Sequence, residues 1–477
     1  MILYAVKRRK NALFERRSVH KKGNEMKIII AGCGKIGSTI LASLVAEGHE
    51  VVAIDTDPDV ISEMNNIYDV MGAVGNCADS DVLKEAGIGT TSLFVAVTGS
   101  DELNMLSCFL ARRMGAHHTI ARIRKPEYND DSLDLLKKEL HLSMAINPDL
   151  MAAKQLYNLL KFPSAVKIET FSNQAFELVE IKLKADSALD GMKLSEMRGK
   201  YQAKVLICVV QRGDEVFIPD GNFVLKSGDR VGISAAPAEI TKFLRDLGVL
   251  QKKAKNVMIL GGSRIAYYLA THLTGAGNTV KIIERDPEIA KDLAELLPKA
   301  RVILGDGARQ ELLMEEGLPD SDAFVALTGM DEENILMSIF ASSQNVPTVI
   351  SKINRPEMAA LAERLNVDTV VSPRRYTAEA LLRYARAVHN SMGSKVETLY
   401  QILDGSAEAL EFTVSNDPKL VNIPLKELKL KPNLLIAGIL RGRKPIIPGG
   451  ADVLLPEDRA VVVSAGQKLS DLSDILR

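Results

Sequence analysis

No stretch of this 477-residue chain stays apolar for long. The longest unbroken runs, such as Leu434 to Leu440 with a glycine inside it, fall well short of the roughly 20 residues that a membrane-spanning helix needs. A membrane role would therefore have to be carried by a partner. Charge of either sign is also lacking in excess: 60 Lys and Arg meet 61 Asp and Glu, a net charge of −1, so no global field draws the chain to nucleic acid or anionic lipid. The four cysteines, Cys33, Cys77, Cys108 and Cys208, form no C-x-x-C pair and no cluster with zinc-ligand spacing. They read as buried, reduced thiols of a cytosolic protein. The seven histidines fall into no H-E-x-x-H pattern and no triad, and the absence of tryptophan says nothing about function. With 46% hydrophobic and 25% charged residues, the composition is that of a globular protein with a substantial core, and the length suggests about three or four domains.

Residues 1–25 stand apart. They hold Lys7, Arg8, Arg9, Lys10, Arg16, Arg17, Lys21 and Lys22 against Glu15 and Glu25, with neither the apolar core nor the cleavage site of a signal peptide. They read as a basic tail, a surface-binding helix or residues added from an upstream start codon. Met26, followed at once by the strand-like Lys27-Ile28-Ile29-Ile30, fits the last.

The remainder repeats. Gly32 falls on Gly261 and Asp55 on Glu284 at an offset of 229, while Gly75 falls on Gly305, Thr98-Gly99 on Thr328-Gly329, Asn104 on Asn334 and Arg122 on Lys352 at 230. Arg212-Gly213 matches Arg441-Gly442, and Asp229 matches Asp458. A near-constant offset means duplication of a whole unit. In the first copy short apolar runs at 27–31, 50–54, 69–74, 92–97, 118–123 and 143–146 alternate with amphipathic segments, the pattern of a parallel sheet with helices on both faces. A helix-like segment, Asp149 to Phe162, then leads to strands and turns that read as a small α+β domain. The expected fold class is α/β: two tandem Rossmann-like doubly wound parallel-sheet domains, each followed by a small α+β domain. The boundaries read as 26–150, 151–250, 256–373 and 374–477, with a Lys-rich linker at 252–255.

Gly32-Cys33-Gly34-Lys35-Ile36-Gly37 is a complete G-x-G-x-x-G that follows an apolar strand and opens a helix, the context that gives the motif meaning. Gly32 permits the turn, Gly34 the approach of a pyrophosphate, and Gly37 close helix–sheet packing. The helix N-terminus then offers free N–H groups to phosphate. Asp55, 18 residues beyond Gly37 at the end of the second strand, is placed to accept both ribose hydroxyls and to repel a 2′-phosphate, which favours NAD(H) over NADP(H). Thr98 and Gly99 follow the fourth strand, where loops line the ligand crevice. Gly75 and Asn76 end the third, near the expected adenine. Arg122 ends the fifth and reads equally as a phosphate ligand or as a salt-bridge residue.

In the second copy Gly261-Gly262-Ser263-Arg264-Ile265-Ala266 keeps the first glycine, puts Ser263 at the second and Ala266 at the third. Ser263 narrows the approach to the pyrophosphate, while Arg264 adds a cation. Glu284 keeps the ribose carboxylate, and Gly305, Asp306, Thr328, Gly329 and Lys352 complete the equivalent set. This site reads as a weaker or different nucleotide site. Tyr157 and Lys161 have the Y-x-x-x-K spacing of short-chain dehydrogenases, but Leu382 and Arg386 stand at the matching places, so the pair reads as one face of an amphipathic helix. No catalytic residue and no metal ligand is assigned.

These motifs, with Val51-Val-Ala-Ile-Asp55-Thr-Asp57, Gly75-Asn-Cys-Ala-Asp79, Val97-Thr-Gly-Ser-Asp-Glu-Leu-Asn104 and Ile218-Pro-Asp-Gly-Asn-Phe-Val-Leu-Lys-Ser-Gly-Asp229, resemble the RCK (KTN) family, the nucleotide-binding regulatory subunits of Trk-type potassium uptake systems. The likeness covers 26–477. It implies alternating RCK_N and RCK_C domains in a cytoplasmic protein peripheral to the inner face of the plasma membrane. It also implies a homo-oligomer, dimer or tetrameric ring, beneath an integral-membrane potassium pore subunit of the TrkH or TrkG kind. NAD(H), or ATP or ADP at one or both sites, would then bias pore opening, with no role for nucleic acid. Two other classes stay open: an NAD-dependent oxidoreductase, to be detected by nucleotide consumption, and a scaffold with vestigial sites, to be detected by loss of binding.

Overall fold

The computed structural model describes residues 26–477 except 129, 162–166, 172–174, 186, 249–253, 366, 368, 391–395 and 470. The basic segment 1–25 and half of the expected linker, 252 and 253, lie outside the described residues. Two compact units divide the chain, one ending at Ile146 and the other running Asn147–Arg477.

The first unit is built on Ile28, Ile29 and Ile30, all with no exposed surface. Such β-branched runs suit a parallel strand covered on both faces. Strands β1 (Lys27–Ala31), β2 (Glu50–Asp55), β3 (Met71–Val74), β4 (Leu93–Ala96), β5 (His118–Arg122) and β6 (Met144–Ile146) form one sheet in the order β3-β2-β1-β4-β5-β6. Every pairing in it is parallel. The order reverses beside β1, so β1 and β4 open a crevice at their carboxyl ends. The apolar run expected at 69–74 enters its strand only at Met71. Asp69, at φ 55°, first ends the helix Pro58–Tyr68 in a left-handed conformation. β3 is the sheet edge, and Met71 and Val74 are exposed on it.

The second unit opens with the helix Pro148–Lys161, whose Ala152, Ala153, Leu156, Leu159 and Leu160 are buried. They share a core with Leu269, Ala270 and Leu273 of the helix Arg264–Gly275. Strands β7 (Lys167–Phe171), β8 (Phe176–Lys182), β9 (Leu206–Arg212), β10 (Glu215–Phe217) and β11 (Arg230–Ala235) make an antiparallel sheet ordered β10-β9-β11-β8-β7. A second parallel sheet follows: β12 (Asn256–Leu260), β13 (Thr279–Glu284), β14 (Arg301–Leu304), β15 (Ala323–Ala326), β16 (Thr348–Lys352) and β17 (Val370–Val371). Its order, β14-β13-β12-β15-β16-β17, repeats that of the first unit strand for strand. After the helix Pro373–Asn390 come β18 (Val396–Ile402), β19 (Ala407–Thr413), β20 (Leu434–Arg441), β21 (Lys444–Ile446) and β22 (Arg459–Ala465), ordered β18-β19-β22-β20-β21.

The residues matched across the small domains have a common task. Arg212 Nε and Nη2 donate to both oxygens of the fully buried Asp229 at 2.8 and 2.7 Å, and Nη2 also reaches the Val224 carbonyl. Arg441, Asp458 and Val453 repeat the arrangement. The two antiparallel sheets share one core. Phe171, Phe176, Leu178 and Val209 pack with Ile402, Ala409, Ala437 and Val461. Gly438 makes this contact possible, because a Cβ there would lie 3.1 Å from the Phe176 ring.

Candidate nucleotide sites

In the first unit the chain leaves β1 through Gly32, whose φ of +91° belongs to glycine, and a Cβ there would lie 2.8 Å from the Thr98 backbone. The Asp55 carboxylate accepts the Cys33 N–H at 2.7 Å and the Asp57 N–H at 3.1 Å. Two backbone donors thus fix it at the end of β2, where a ribose would lie. Cys33 itself is buried, and burial followed by the nearby Asp55 charge pushes its thiol up to about 12. It is an inert spacer. All four cysteines are buried and free of disulfides.

The helix Lys35–Ala46 begins at Gly34 with no side-chain cap. Its two remaining glycines differ in their reasons. A Cβ on Gly37 would lie 1.9 Å from the Gly32 carbonyl oxygen, so the helix needs glycine there to rest against the loop. Gly34 has φ −65°, open to any residue, and a Cβ on it meets nothing within 4 Å. Neither backbone nor packing calls for glycine at 34, and a ligand that approaches the backbone does. Gly99 likewise meets nothing within 4 Å.

The sequence reading passed over what holds the crevice loop. Asn104, fully buried, accepts the Thr98 N–H at 2.8 Å and the Thr98 hydroxyl at 2.7 Å, and donates to the Arg122 carbonyl at 2.9 Å. It ties the end of β4 to the end of β5. Asn334 does the same for Thr328 and the Lys352 carbonyl at 2.9, 2.8 and 2.9 Å. Asp101 fixes the following segment by accepting the Arg124 and Lys125 N–H groups at 2.8 and 2.9 Å. Asp331 accepts the N–H groups of Asn354 and Arg355 in the second copy. Burial alone would raise the Asp331 carboxyl, but those amides and the Arg355 guanidinium hold it below its ordinary value.

Other candidates serve the scaffold in this structure. The Arg122 guanidinium is buried and donates to the Thr98 carbonyl, and Lys352 Nζ donates to the Leu327 carbonyl at 3.2 Å. Burial pulls the Lys352 ammonium below its ordinary value. Gly75 and Gly305 make room for Val82 and Leu312, each 2.5 Å from where a Cβ would sit. Asn76 and Asp306 accept the Ala78 and Ala308 N–H groups in tight turns. Tyr157 stacks beside His272 with ring centroids 5.7 Å apart, under the Lys161 ammonium at 4.3 Å from its ring. The Tyr–Lys pair therefore belongs to a helix contact.

The second site keeps Gly261 at φ +95° and the carboxylate cradle: Glu284 accepts the Gly262 and Asp286 N–H groups at 2.5 and 2.7 Å. Ser263 caps the helix Arg264–Gly275, its hydroxyl accepting the Ala266 N–H at 3.4 Å. Gly329, like Gly99, faces open space. Among the described residues no cluster of metal-ligating side chains occurs, and no helix is long and apolar enough to cross a membrane.

Two Rossmann-like units at the carboxyl edges of doubly wound sheets, each with its antiparallel small domain, define a tandem dinucleotide-fold protein. The TrkA-N domain model matches residues 28–148 and 257–373, and the TrkA-C domain model matches 178–248 and 409–477. The chain belongs to the TrkA family. It is 31% identical to the Trk system potassium uptake protein TrkA homolog of Archaeoglobus fulgidus, over 95% of this chain and 100% of that one. It is 30% identical to the Trk system potassium uptake protein TrkA of Vibrio alginolyticus, over 95% and 99%. Among solved structures the GsuK RCK domain superposes with a TM-score of 0.61 at 16% identity, covering 95% of this chain and 97% of that one. The GsuK channel bound to NAD gives 0.62 at 15%, covering 94% and 78%.

Proposed function

We propose that the protein is the nucleotide-sensing regulatory subunit of a Trk-type potassium uptake pore. On this reading it sits on the cytoplasmic face of the plasma membrane as a homo-oligomer and binds NAD(H), with ATP or ADP as further ligands. The observation that carries the reading is Gly34: a glycine without backbone or packing cause, beside uncapped helix N–H groups and a ribose carboxylate. Near-full-length similarity to named Trk proteins supplies the transport context. Self-association is supported by Leu106 and Leu336. They occupy equivalent places on the helices Asp101–Arg113 and Asp331–Ser343, and are 50% and 61% exposed. On this reading another subunit covers the same leucine in both copies.

The sites sense; they do not turn over. On this reading Asp101, Asn104, Asp331 and Asn334 hold the crevice loops by engaging backbone groups, a scaffold role and not a chemical one. The test is reconstitution with the pore subunit in vesicles and measurement of potassium flux with and without NADH, NAD, ATP or ADP. Flux that changes while the nucleotide is recovered intact supports the reading. Stoichiometric hydride transfer or hydrolysis without an effect on flux supports an NAD-dependent oxidoreductase.

Cofactor choice follows from Asp55. A 2′-phosphate would lie beside a carboxylate fixed by two amides, and two unit charges about 4 Å apart repel by about 1 kcal/mol even in water. With a dianion, NADH should bind the first site at least about tenfold more tightly than NADPH. Competition calorimetry checks this, and equal affinities mean that Asp55 does not face the ribose.

A further inference from the structure

The two cradles are alike at the ribose and unlike at the phosphates. In the first, no acceptor among the described residues takes the N–H groups of Lys35, Ile36 or Gly37; the first engaged amide of that helix is Ser38, bonded to the Gly34 carbonyl at 2.9 Å. In the second, the Ser263 hydroxyl takes the Ala266 N–H, the counterpart of Gly37. The side chain of Ser263 also stands where the first site has open space around Gly34. Ala266 adds a Cβ where Gly37 allows the helix to rest on the loop carbonyl, so the second helix cannot sit as close. Two of these changes, the capped N–H and the Ser263 side chain, weaken a grip on a diphosphate, whose oxygens need those N–H groups and that space, while alanine at the third position is compatible with the motif. The other end is kept: Glu284, itself buried, is held by two amides, as the half-buried Asp55 is.

We propose that the second site recognises its nucleotide through the ribose and not through a diphosphate, with Ser263 as the residue that sets this preference. It then accepts an adenosine monophosphate nearly as well as ADP or NAD(H), with Arg264, exposed at the first helical position where the first site has Lys35, as the cation beside its phosphate loop. The first site depends on the diphosphate. A single chain thus reports on two classes of adenine nucleotide. This rests on the reading that both crevices bind nucleotides.

The test uses the full chain with Gly34→Val to silence the first site. NADH, ADP, AMP and adenosine are titrated calorimetrically before and after adding Ser263→Gly. In the Gly34→Val chain, ADP and AMP should bind within about threefold of each other. Ser263→Gly should then raise ADP and NADH affinity about tenfold, the equivalent of one recovered charge-assisted hydrogen bond, with adenosine unchanged. Ser263→Ala removes the cap without adding glycine flexibility and should show a smaller gain in the same direction, with melting temperature as the control for folding. ADP binding 100-fold tighter than AMP in the Gly34→Val chain, or no response to either Ser263 variant, overturns the proposal. So does the absence of any ligand at the second site while the unaltered chain still binds NADH, which leaves the regulatory reading intact. Failure of the unaltered chain to bind any of the four defeats that reading itself.

Discussion

Replacing Lys167 by methionine should destabilise the second unit by about 3–5 kcal/mol, the usual consequence of removing one partner from a buried ion pair. Lys167 opens β7 with 5% of its side chain exposed. Its ammonium lies 3.1 Å from Glu169, 3.5 Å from Glu379 on the helix Pro373–Asn390, and 2.6 Å from the Gln401 carbonyl on β18. One cation thus joins the first small domain, the second connecting helix and the second small domain. Burial alone would pull the ammonium down, but Glu169, Glu379 and Glu180 outweigh it and hold it above its ordinary value. Burial also raises the Glu169 carboxyl, against the pull of Lys167. Methionine keeps the volume and leaves the two carboxylates facing each other. Arg375, 3.7 Å from Glu379, relieves part of the repulsion and points to the lower end of the range.

The pH dependence separates this from a packing defect. Burial already raises the Glu169 carboxyl, and without Lys167 to pull it down Glu169 titrates still higher than in the unfolded chain, so the folded form binds more protons. Its stability then falls as pH rises between the unfolded and folded values and recovers as pH is lowered through that window. The destabilisation of Lys167→Met should therefore shrink from pH 8 to pH 5 in urea unfolding. A penalty equal at both pH values would mean that charge is not the cause.

The parallel sheets and their duplication were legible because they rest on local pattern. Each strand is a short apolar run, and Gly32/Gly261 and Asp55/Glu284 stand at the ends of the first and second strands in both copies. The placement of Asp55 and Glu284 against the loops was legible for the same reason: a helix N-terminus and the next strand end are neighbours in any such fold. The role of Asn104 was not. It sits inside a helix, where an asparagine usually reads as a solvated position, and its partners Thr98 and Arg122 lie 6 and 18 residues away. Only the pairing of β4 with β5 brings them together. Strand β7 is not legible in the sequence because it begins with a buried lysine. A charge there contradicts the alternation that marks a strand; beside the local Glu169, its second carboxylate, Glu379, arrives from 212 positions later.

Gly34→Val should reduce NADH affinity at the first site by about 100-fold or more while leaving the melting temperature within about a degree. The two halves of this expectation have separate causes. Stability is spared because φ at 34 is −65° and a Cβ there meets nothing within 4 Å; surface changes away from packing and strain are usually within about 0.5 kcal/mol. Binding is lost because the branched side chain occupies the space through which a diphosphate reaches the N–H groups of Lys35, Ile36 and Gly37. Two lost charge-assisted hydrogen bonds at about 1.5–3 kcal/mol each amount to that fold-change. Gly37→Val provides the contrast. Its Cβ would meet the Gly32 carbonyl oxygen at 1.9 Å, so it should unfold the first unit and not silence it selectively. The consequence for transport is bounded by the same numbers. A ligand moves an equilibrium only by its difference in affinity for the two states, and a coupling of about 1–3 kcal/mol changes that equilibrium about 5- to 150-fold. In vesicles carrying the pore subunit, Gly34→Val should abolish the part of the NADH flux response that arises at the first site and keep the part that AMP or NADH produces through the second. An NADH response of unchanged size in a chain that no longer binds NADH at the first site would place the regulatory signal elsewhere.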